Sequence, residues 1–151
     1  RRGASAWRLD AAYAVKPEFW AQVLPRVRAE FPDTWFVGEV IHGDYPDIVR
    51  RSGMDAVTQY ELWKAAWSSL LDGNFFELDW CLKRHNDFLA SFVPMTFIGN
   101  HDVTRIASRI GNDKAALAAT MSMRSRALRL PEPTTAVQHH GTGRGSHTSG
   151  H

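Results

Sequence analysis

Residues 34–41 read Thr-Trp-Phe-Val-Gly-Glu-Val-Ile, an apolar run with one acidic residue, Glu39, near its end. Runs of this length and composition are typical of a strand that is buried in a sheet. The arrangement occurs twice more, in Trp7-Arg8-Leu9-Asp10 and in Phe97-Ile98-Gly99-Asn100-His101-Asp102. Because an isolated carboxylate is costly to bury, three carboxylates at strand ends predict either polar partners or a chemical task.

Helix-like segments separate these runs, so strands and helices are predicted to alternate along the chain. The predicted strands cover residues 4–12, 34–41, 56–60 and 94–99. The predicted helices cover residues 17–30, 44–51, 61–71, 75–92 and 113–123. This order predicts an α/β fold with a parallel sheet and right-handed crossovers. Four such units resemble half of an eight-fold β/α barrel more than a complete doubly wound domain.

Two prolines bear on the first helix and its surroundings. Pro17 is expected at the first helical position, where its missing N–H does no harm. Pro25 lies inside the helical pattern and is expected to kink or shorten the helix. The strand before this helix, residues 4–12, is expected to be buried.

Composition limits the classes of function. The chain has 151 residues and 44% hydrophobic content, enough for one core. Residues 1–123 contain 14 Lys+Arg against 15 Asp+Glu, whereas residues 124–151 contain four Arg and one Glu. Because the predicted folded part has no basic excess, nucleic acid is not an expected partner. No apolar run approaches the roughly 20 residues of a membrane helix, so no membrane partner is expected either.

Cysteine usage and the first residues give weaker indications. Cys81 is the single cysteine, which excludes a disulfide within the chain. The chain begins Arg1-Arg2-Gly3-Ala4, without Met and without a signal-peptide pattern. We therefore expect that it starts inside a larger protein, and the lack of a signal peptide favours the cytoplasm.

Residues 124–151 differ in kind from the rest. They contain no aromatic residue and no hydrophobic period, and four of the seven histidines lie there: His139, His140, His147 and His151. A metal site is one interpretation of this histidine spacing. A disordered low-complexity tail is the favoured one, because no carboxylate or cysteine supports the histidines.

The residue types at the strand ends suggest a particular chemistry. Arg8 and Asp10 are two apart on a strand, so they should project together, and the guanidinium would keep Asp10 ionised as a nucleophile requires. Glu39 lies in a partly apolar setting that should raise its pKa, as a general acid requires. Asp102 beside His101 is placed to hold a polar ligand. Together these residues form a glycosidase-like set.

Purely structural roles are the alternative for each motif. Arg8 and Asp10 could form an ion pair that fixes a strand. Glu39 could cap a turn, and residues 100–102 could form a turn or a helix cap. Apart from these alternatives, Gly38 before Glu39 would let the backbone or a substrate approach closely.

At the level of whole motifs the sequence resembles a known family. Trp7-Arg8-Leu9-Asp10-Ala11-Ala12, Gly38-Glu39-Val40 and Phe97-Ile98-Gly99-Asn100-His101-Asp102 resemble three motifs of the α-amylase family of glycoside hydrolases (glycoside hydrolase family 13). They occur in that family's order, and the resemblance spans about residues 3–123. It implies that residues 1–123 are part of a catalytic (β/α)8 TIM barrel, about strands four to seven with their helices.

The resemblance also implies an activity and roles for the residues. The activity would be retaining hydrolysis of α-glucosidic bonds in α-glucans or oligosaccharides. Asp10 would be the nucleophile, Glu39 the general acid and base, and Asp102 a ligand of sugar hydroxyls. The substrate would also be bound by four further side chains: Arg8, Tyr13, Asn100 and His101.

Departures from the family pattern leave other functions open. An earlier family motif, an Asp…Asn-His segment, is absent, and residues 11–15 read Ala-Ala-Tyr-Ala-Val where many relatives have a Lys-His pair that helps to bind sugar and calcium. No cofactor and no calcium site are therefore predicted. A transglycosylase of the same family is one alternative function. A non-catalytic truncated product or sugar-binding relic of the barrel is another.

Two hypotheses follow from the predicted half-barrel. Its two sheet edges would be unpaired, which predicts self-association through them. The composition also changes at Arg124, where the family would continue with an apolar strand. We hypothesise that the residues after about Met123 arise from a reading-frame slip in a GC-rich gene, which translation of the other two frames would test.

Overall fold

The computed structural model describes residues 3–127, with side chains described as far as Arg124. Its strands are β1 (Ala6–Leu9), β2 (Trp35–Gly38) and β3 (Ala56–Val57). A short 3-10 helix (Ala12–Ala14) precedes the α-helices, which are α1 (Pro17–Glu30), α2 (Tyr45–Ser52), α3 (Tyr60–Asp72), α4 (Phe76–Leu89), α5 (Ile106–Ile110) and α6 (Asn112–Ala127). Within residues 3–127, no helix has both the length and the apolar character to cross a bilayer.

The three strands form a parallel sheet in chain order, β1-β2-β3, with helices between them. This confirms the predicted α/β class and the parallel pairing. The predicted division at residues 123 and 124 stays a prediction. Residues 128–151, which hold most of the predicted tail and its four histidines, lie outside the described residues.

The predicted fourth strand, residues 94–99, is reduced to one bridge. Met95 pairs with Thr58 in the parallel sense, beside β3 where the fourth strand was expected. The chain then leaves the sheet, and the Phe97 ring stacks on Trp63 of α3 with centroids 6.0 Å apart. Aromatic packing on a helix has therefore taken the place of further strand pairing.

Helix α1 corrects one part of the expectation for Pro25, that it would shorten the helix, while a kink stays a prediction. Pro17 opens the helix as predicted, but the helix continues through Pro25 and ends at Glu30. Proline removes one backbone hydrogen bond, yet the helix keeps its predicted end at Glu30. Leu24, the residue before the proline, is 1% exposed in the hydrophobic core.

The core surrounds β2 and leaves β1 at the rim. Phe36 and Val37 are each 4% exposed, and Val40 just beyond the strand is fully buried. Trp7 of β1 pairs in register with Phe36, yet it is 55% exposed. The expectation that residues 4–12 are buried is therefore wrong for β1, because within residues 3–127 this strand pairs with β2 alone.

Candidate active site

The three predicted carboxylates meet around one cation, Arg8. Its Nη2 atom lies 2.6 Å from Glu39 Oε1, 3.3 Å from Asp102 Oδ2 and 3.5 Å from Asp10 Oδ1. The carboxyl ends of parallel strands lie at one edge of a sheet, so residues distant in sequence come together there. Arg8 and Asp10 project together, as their spacing predicts.

Glu39 is the most enclosed of the three, with a side chain that is 10% exposed. Its Oε2 accepts a hydrogen bond from the Ala11 backbone N–H at 2.8 Å, and its Oε1 accepts one from the Tyr60 hydroxyl at 3.1 Å. Burial alone would raise the pKa of this carboxyl. The two hydrogen bonds and the Arg8 charge outweigh burial and hold the pKa below its ordinary value.

This result corrects the expectation of a raised pKa for Glu39. The sequence suggested that Arg8 would serve chiefly Asp10, its neighbour on the strand. In the structure the guanidinium lies closer to Glu39, and the Asp10 side chain is 80% exposed. The positive charge of Arg8, which was expected to act on Asp10, therefore acts mainly on Glu39.

Arg8 stays cationic in this setting. Burial would lower the pKa of its guanidinium, but the Glu39 carboxylate and, more weakly, Asp102 and Asp10 raise it. The cation therefore partly neutralises three carboxylates that would otherwise repel one another.

The third motif forms a turn at the site. Asn100 Oδ1 accepts a hydrogen bond from the Asp102 backbone N–H at 3.0 Å, which is an Asx-type turn. His101 is 68% exposed in its side chain, and its Nε2 lies 3.3 Å from Asp102 Oδ1 and 3.4 Å from Arg8 Nη1. The alternative of a turn at residues 100–102 is therefore confirmed, and the same turn carries the Asp102 side chain that contacts Arg8.

Tyr13 lies at the margin of the site, in the short 3-10 helix. Its backbone N–H donates to the Glu39 carbonyl at 3.0 Å, while its side chain is 46% exposed. Its ring is tilted against that of His42, with centroids 6.5 Å apart. The structure thus places Tyr13 near the carboxylates through its backbone rather than through its hydroxyl.

Sequence reasoning missed two groups that hold Glu39. Tyr60 opens α3 and is the last residue of the predicted third strand, residues 56–60, and that predicted strand-end position was the signal that could have found it. Ala11 adopts a left-handed backbone with φ 46°, which is uncommon for a residue other than glycine. Nothing in its identity indicates that its N–H binds a carboxylate.

Gly38, the residue before Glu39, has a packing role. A Cβ atom at this position would lie 2.3 Å from Met54 Sδ and 3.3 Å from Ala12 Cβ. The close approach that the sequence suggested is thus made by buried side chains beneath the strand end.

Metal binding has no support in the described part of the chain. Within residues 3–127, no group of three or more His, Cys, Asp or Glu side chains is arranged to hold a metal ion.

Comparison with curated proteins finds relatives of the predicted type, although no protein-family model matches the chain. The chain is 31% identical over 117 residues to a cyclomaltodextrinase from Geobacillus thermopakistaniensis (strain MAS1). It is 28% identical over 117 residues to a maltogenic α-amylase from Bacillus acidopullulyticus. Each match covers 71% of this chain and 19% of the relative, so the chain spans about a fifth of the length of these relatives.

Solved structures agree at the level of the fold. The cyclic α-maltosyl-(1→6)-maltose hydrolase from Arthrobacter globiformis matches with a TM-score of 0.66 and 20% identity, over 79% of this chain and 28% of that chain. The same values hold for its complex with cyclic α-maltosyl-(1→6)-maltose. The chain is therefore similar to α-amylase-type glycoside hydrolases over part of their length, which confirms the resemblance inferred from the three motifs.

Proposed function

We propose that this chain, as a segment similar to α-amylase-type glycoside hydrolases, supplies the catalytic carboxylates of a retaining hydrolase of α-glucosidic bonds. The observation that supports this most is that three carboxylates from three separate segments converge within 3.5 Å of one Arg8 nitrogen. The substrate class, α-glucans or oligosaccharides, follows from the names of the relatives. In this proposal β1, β2, β3 and the Met95 bridge correspond to strands four to seven of a barrel.

The retaining assignment is supported by the spacing of Asp10 and Glu39. Their oxygens lie 3.5 and 2.6 Å from the same nitrogen and are therefore at most about 6 Å apart, which admits the roughly 5–5.5 Å of retaining enzymes. Asp10, which is exposed, attacks the anomeric carbon as nucleophile. Glu39 donates a proton to the leaving oxygen and later removes one from the incoming water.

Glu39 must gain a proton before it can act as an acid, and Arg8 opposes this in the structure. All three carboxylates lie within 3.5 Å of Arg8 Nη2, so a small rotation of the guanidinium can exchange Glu39 for Asp10 and Asp102. We place this exchange at substrate binding. It leaves Glu39 free to be protonated and keeps Asp10 ionised. Asp102 and His101 bind sugar hydroxyls, with Asn100 and Tyr13 nearby.

Hydrolysis by the purified 151-residue chain tests the roles. We expect Asp10→Asn to abolish turnover of an α-glucosyl fluoride and of a malto-oligosaccharide alike. Glu39→Gln should reduce malto-oligosaccharide hydrolysis by about 10²–10⁴-fold but affect the fluoride less, because fluoride leaves without an acid. The matched control is Asp33→Asn, at an exposed turn residue between α1 and β2. Equal rates in all four proteins would refute the catalytic roles.

The configuration of the first product tests the stereochemistry. A retaining enzyme releases the α-anomer first, which proton NMR detects before mutarotation. A β-anomer would contradict the assignment of Asp10 as nucleophile. Transfer of the sugar to an added acceptor would instead identify a transglycosylase.

A sugar-binding relic is the second candidate, and the low pKa of Glu39 favours it. A carboxyl that is held ionised by hydrogen bonds and by Arg8 serves a binding site better than an acid catalyst. Calorimetry with maltotriose distinguishes the two. Binding that Asp102→Asn weakens, without any turnover, would support the relic.

A further inference from the structure

We propose that Tyr60 and Asn100 are positioning residues for Glu39, joined in a directional hydrogen-bond chain that transmits the conformation of the 100–102 turn to this carboxyl. The inference deepens the proposed function, because it assigns a regulator to the group that we propose as general acid. Its test does not require turnover.

The direction of the chain is set at the turn. Asn100 Oδ1 accepts the Asp102 backbone N–H at 3.0 Å, which fixes the side of the amide that carries oxygen. The opposite side, Nδ2, then faces Tyr60 and donates to its hydroxyl oxygen at 2.6 Å. A side-chain amide has one accepting oxygen and one donating nitrogen. Because the turn fixes the position of the oxygen, it also determines that the nitrogen points to Tyr60.

The Tyr60 hydroxyl continues the hydrogen-bond chain in the same direction, from Asn100 to Glu39. Because its oxygen accepts from Asn100, the proton of Tyr60 is available for Glu39 Oε1, 3.1 Å away. Tyr60 is 8% exposed, and Phe97 packs edge-on against its ring with centroids 4.8 Å apart. Burial raises the pKa of this phenol, as does the neighbouring Glu39 carboxylate, so Tyr60 keeps the proton that it donates.

The chain links sugar binding to proton transfer. Asp102 and His101 belong to the turn that orients Asn100, and both are proposed to bind sugar hydroxyls. A sugar that displaces the turn would release Asn100, and Tyr60 would then hold its proton towards Glu39 less firmly. A carboxyl that loses a donor to its charged form is protonated more readily, which is the change that the acid step requires.

Titration of the Glu39 side-chain carboxyl carbon by NMR tests the proposal in the intact chain. We expect Tyr60→Phe to shift the Glu39 midpoint to higher pH, and Asn100→Ala to shift it in the same direction by less. In the Tyr60→Phe background, Asn100→Ala should add nothing, because both act through one hydrogen bond. The matched control is Tyr45→Phe. This fully buried tyrosine donates to the Ile41 carbonyl at 3.0 Å, so its loss should leave the Glu39 midpoint unchanged.

Several outcomes would overturn the inference. An unchanged Glu39 midpoint in folded Tyr60→Phe would do so, and so would fully additive shifts in the double variant. If circular dichroism shows that Tyr60→Phe does not fold, the Glu39 midpoint in Asn100→Ala tests the inference by itself, because this variant keeps the Tyr60 ring and its packing. An unchanged midpoint in Asn100→Ala would then overturn the inference. A chain that is inactive on α-glucosides but shows the predicted shifts would refute the catalytic proposal and leave the hydrogen-bond chain standing.

Discussion

Strands β1 and β2 are paired neighbours with different surroundings. Each has an aromatic residue at the same register position, Trp7 beside Phe36, and each is followed by a carboxylate, Asp10 or Glu39. Phe36 is 4% exposed and Trp7 is 55% exposed. The apolar residues of the two strands predicted equal burial. The difference arises because β2 has a paired strand on each side, whereas β1 pairs with β2 alone within residues 3–127.

The same difference separates the two carboxylates. Glu39 accepts hydrogen bonds from a backbone N–H and a hydroxyl and lies 2.6 Å from the Arg8 guanidinium. The Asp10 carboxylate lies 3.5 Å from the same guanidinium, and its side chain is 80% exposed. The inner carboxylate is held in place, and the outer one is free to meet a substrate. Three predictions test how far this contrast extends.

The largest effect is expected from the paired aromatic residues. Phe36→Ala should lower the free energy of unfolding by about 3–5 kcal/mol, because it opens a cavity in the core. Trp7→Ala should lower it by about 1 kcal/mol or less, as an exposed residue does. Urea denaturation followed by circular dichroism measures both. Equal losses of unfolding free energy in the two variants would show that Trp7 of β1 is buried in solution.

The second-largest effect on the free energy of unfolding is expected at the two carboxylates, Glu39 and Asp10. Glu39→Gln should cost about 1.5–3 kcal/mol at neutral pH, the range for hydrogen bonds to charged groups, and Asp10→Asn should stay within about 0.5 kcal/mol. Because folding lowers the pKa of Glu39 from 4.5, its stabilisation is complete above that pH and disappears as pH falls through the folded value.

Urea unfolding at several pH values measures this effect. The stability of the wild-type chain should approach that of Glu39→Gln as the solution is acidified. A difference between the two proteins that does not change with pH would contradict the contribution of the ionised Glu39.

The smallest effect concerns the glycine that precedes Glu39. Gly38→Ala should cost about 1 kcal/mol, at the low end for an overpacked core, because Met54 is buried but flexible. Gly99→Ala is the matched control, since a Cβ there meets nothing within 4 Å. The thermal midpoint measures both. Met54→Ala should reduce the penalty at Gly38, and a penalty that persists would place its cause in the backbone.

Local patterns predicted most of the elements. The helix that begins at Pro17 and the short helix predicted over residues 44–51 appear within about one residue of the expected bounds, because periodicity and end signals act over a few residues. The short helix α5 was not predicted, and residues 94–99 kept one bridge. Both differences depend on packing between distant segments, which a local pattern does not contain.

The sequence also located the carboxylates but not their partners. The predicted strand-end positions were enough to expect Asp10, Glu39 and Asp102 at one place, although the segment before Asp102 keeps only one bridge. That Arg8 lies closer to Glu39 than to Asp10, and that Tyr60 and Ala11 donate to Glu39, depends on contacts across 21 to 31 residues. Their effect on the pKa of Glu39 reversed the direction expected from burial.

The hydrogen bond from the Ala11 N–H to Glu39 has a mechanical consequence. The N–H that binds Glu39 Oε2 belongs to the peptide unit that joins Asp10 to Ala11. A peptide unit is a rigid plane, so any rotation that follows Glu39 also turns the backbone from which the Asp10 side chain extends. The hydrogen bond thus couples the position of Glu39 to the backbone at Asp10, while the exposed Asp10 side chain keeps its own freedom of rotation.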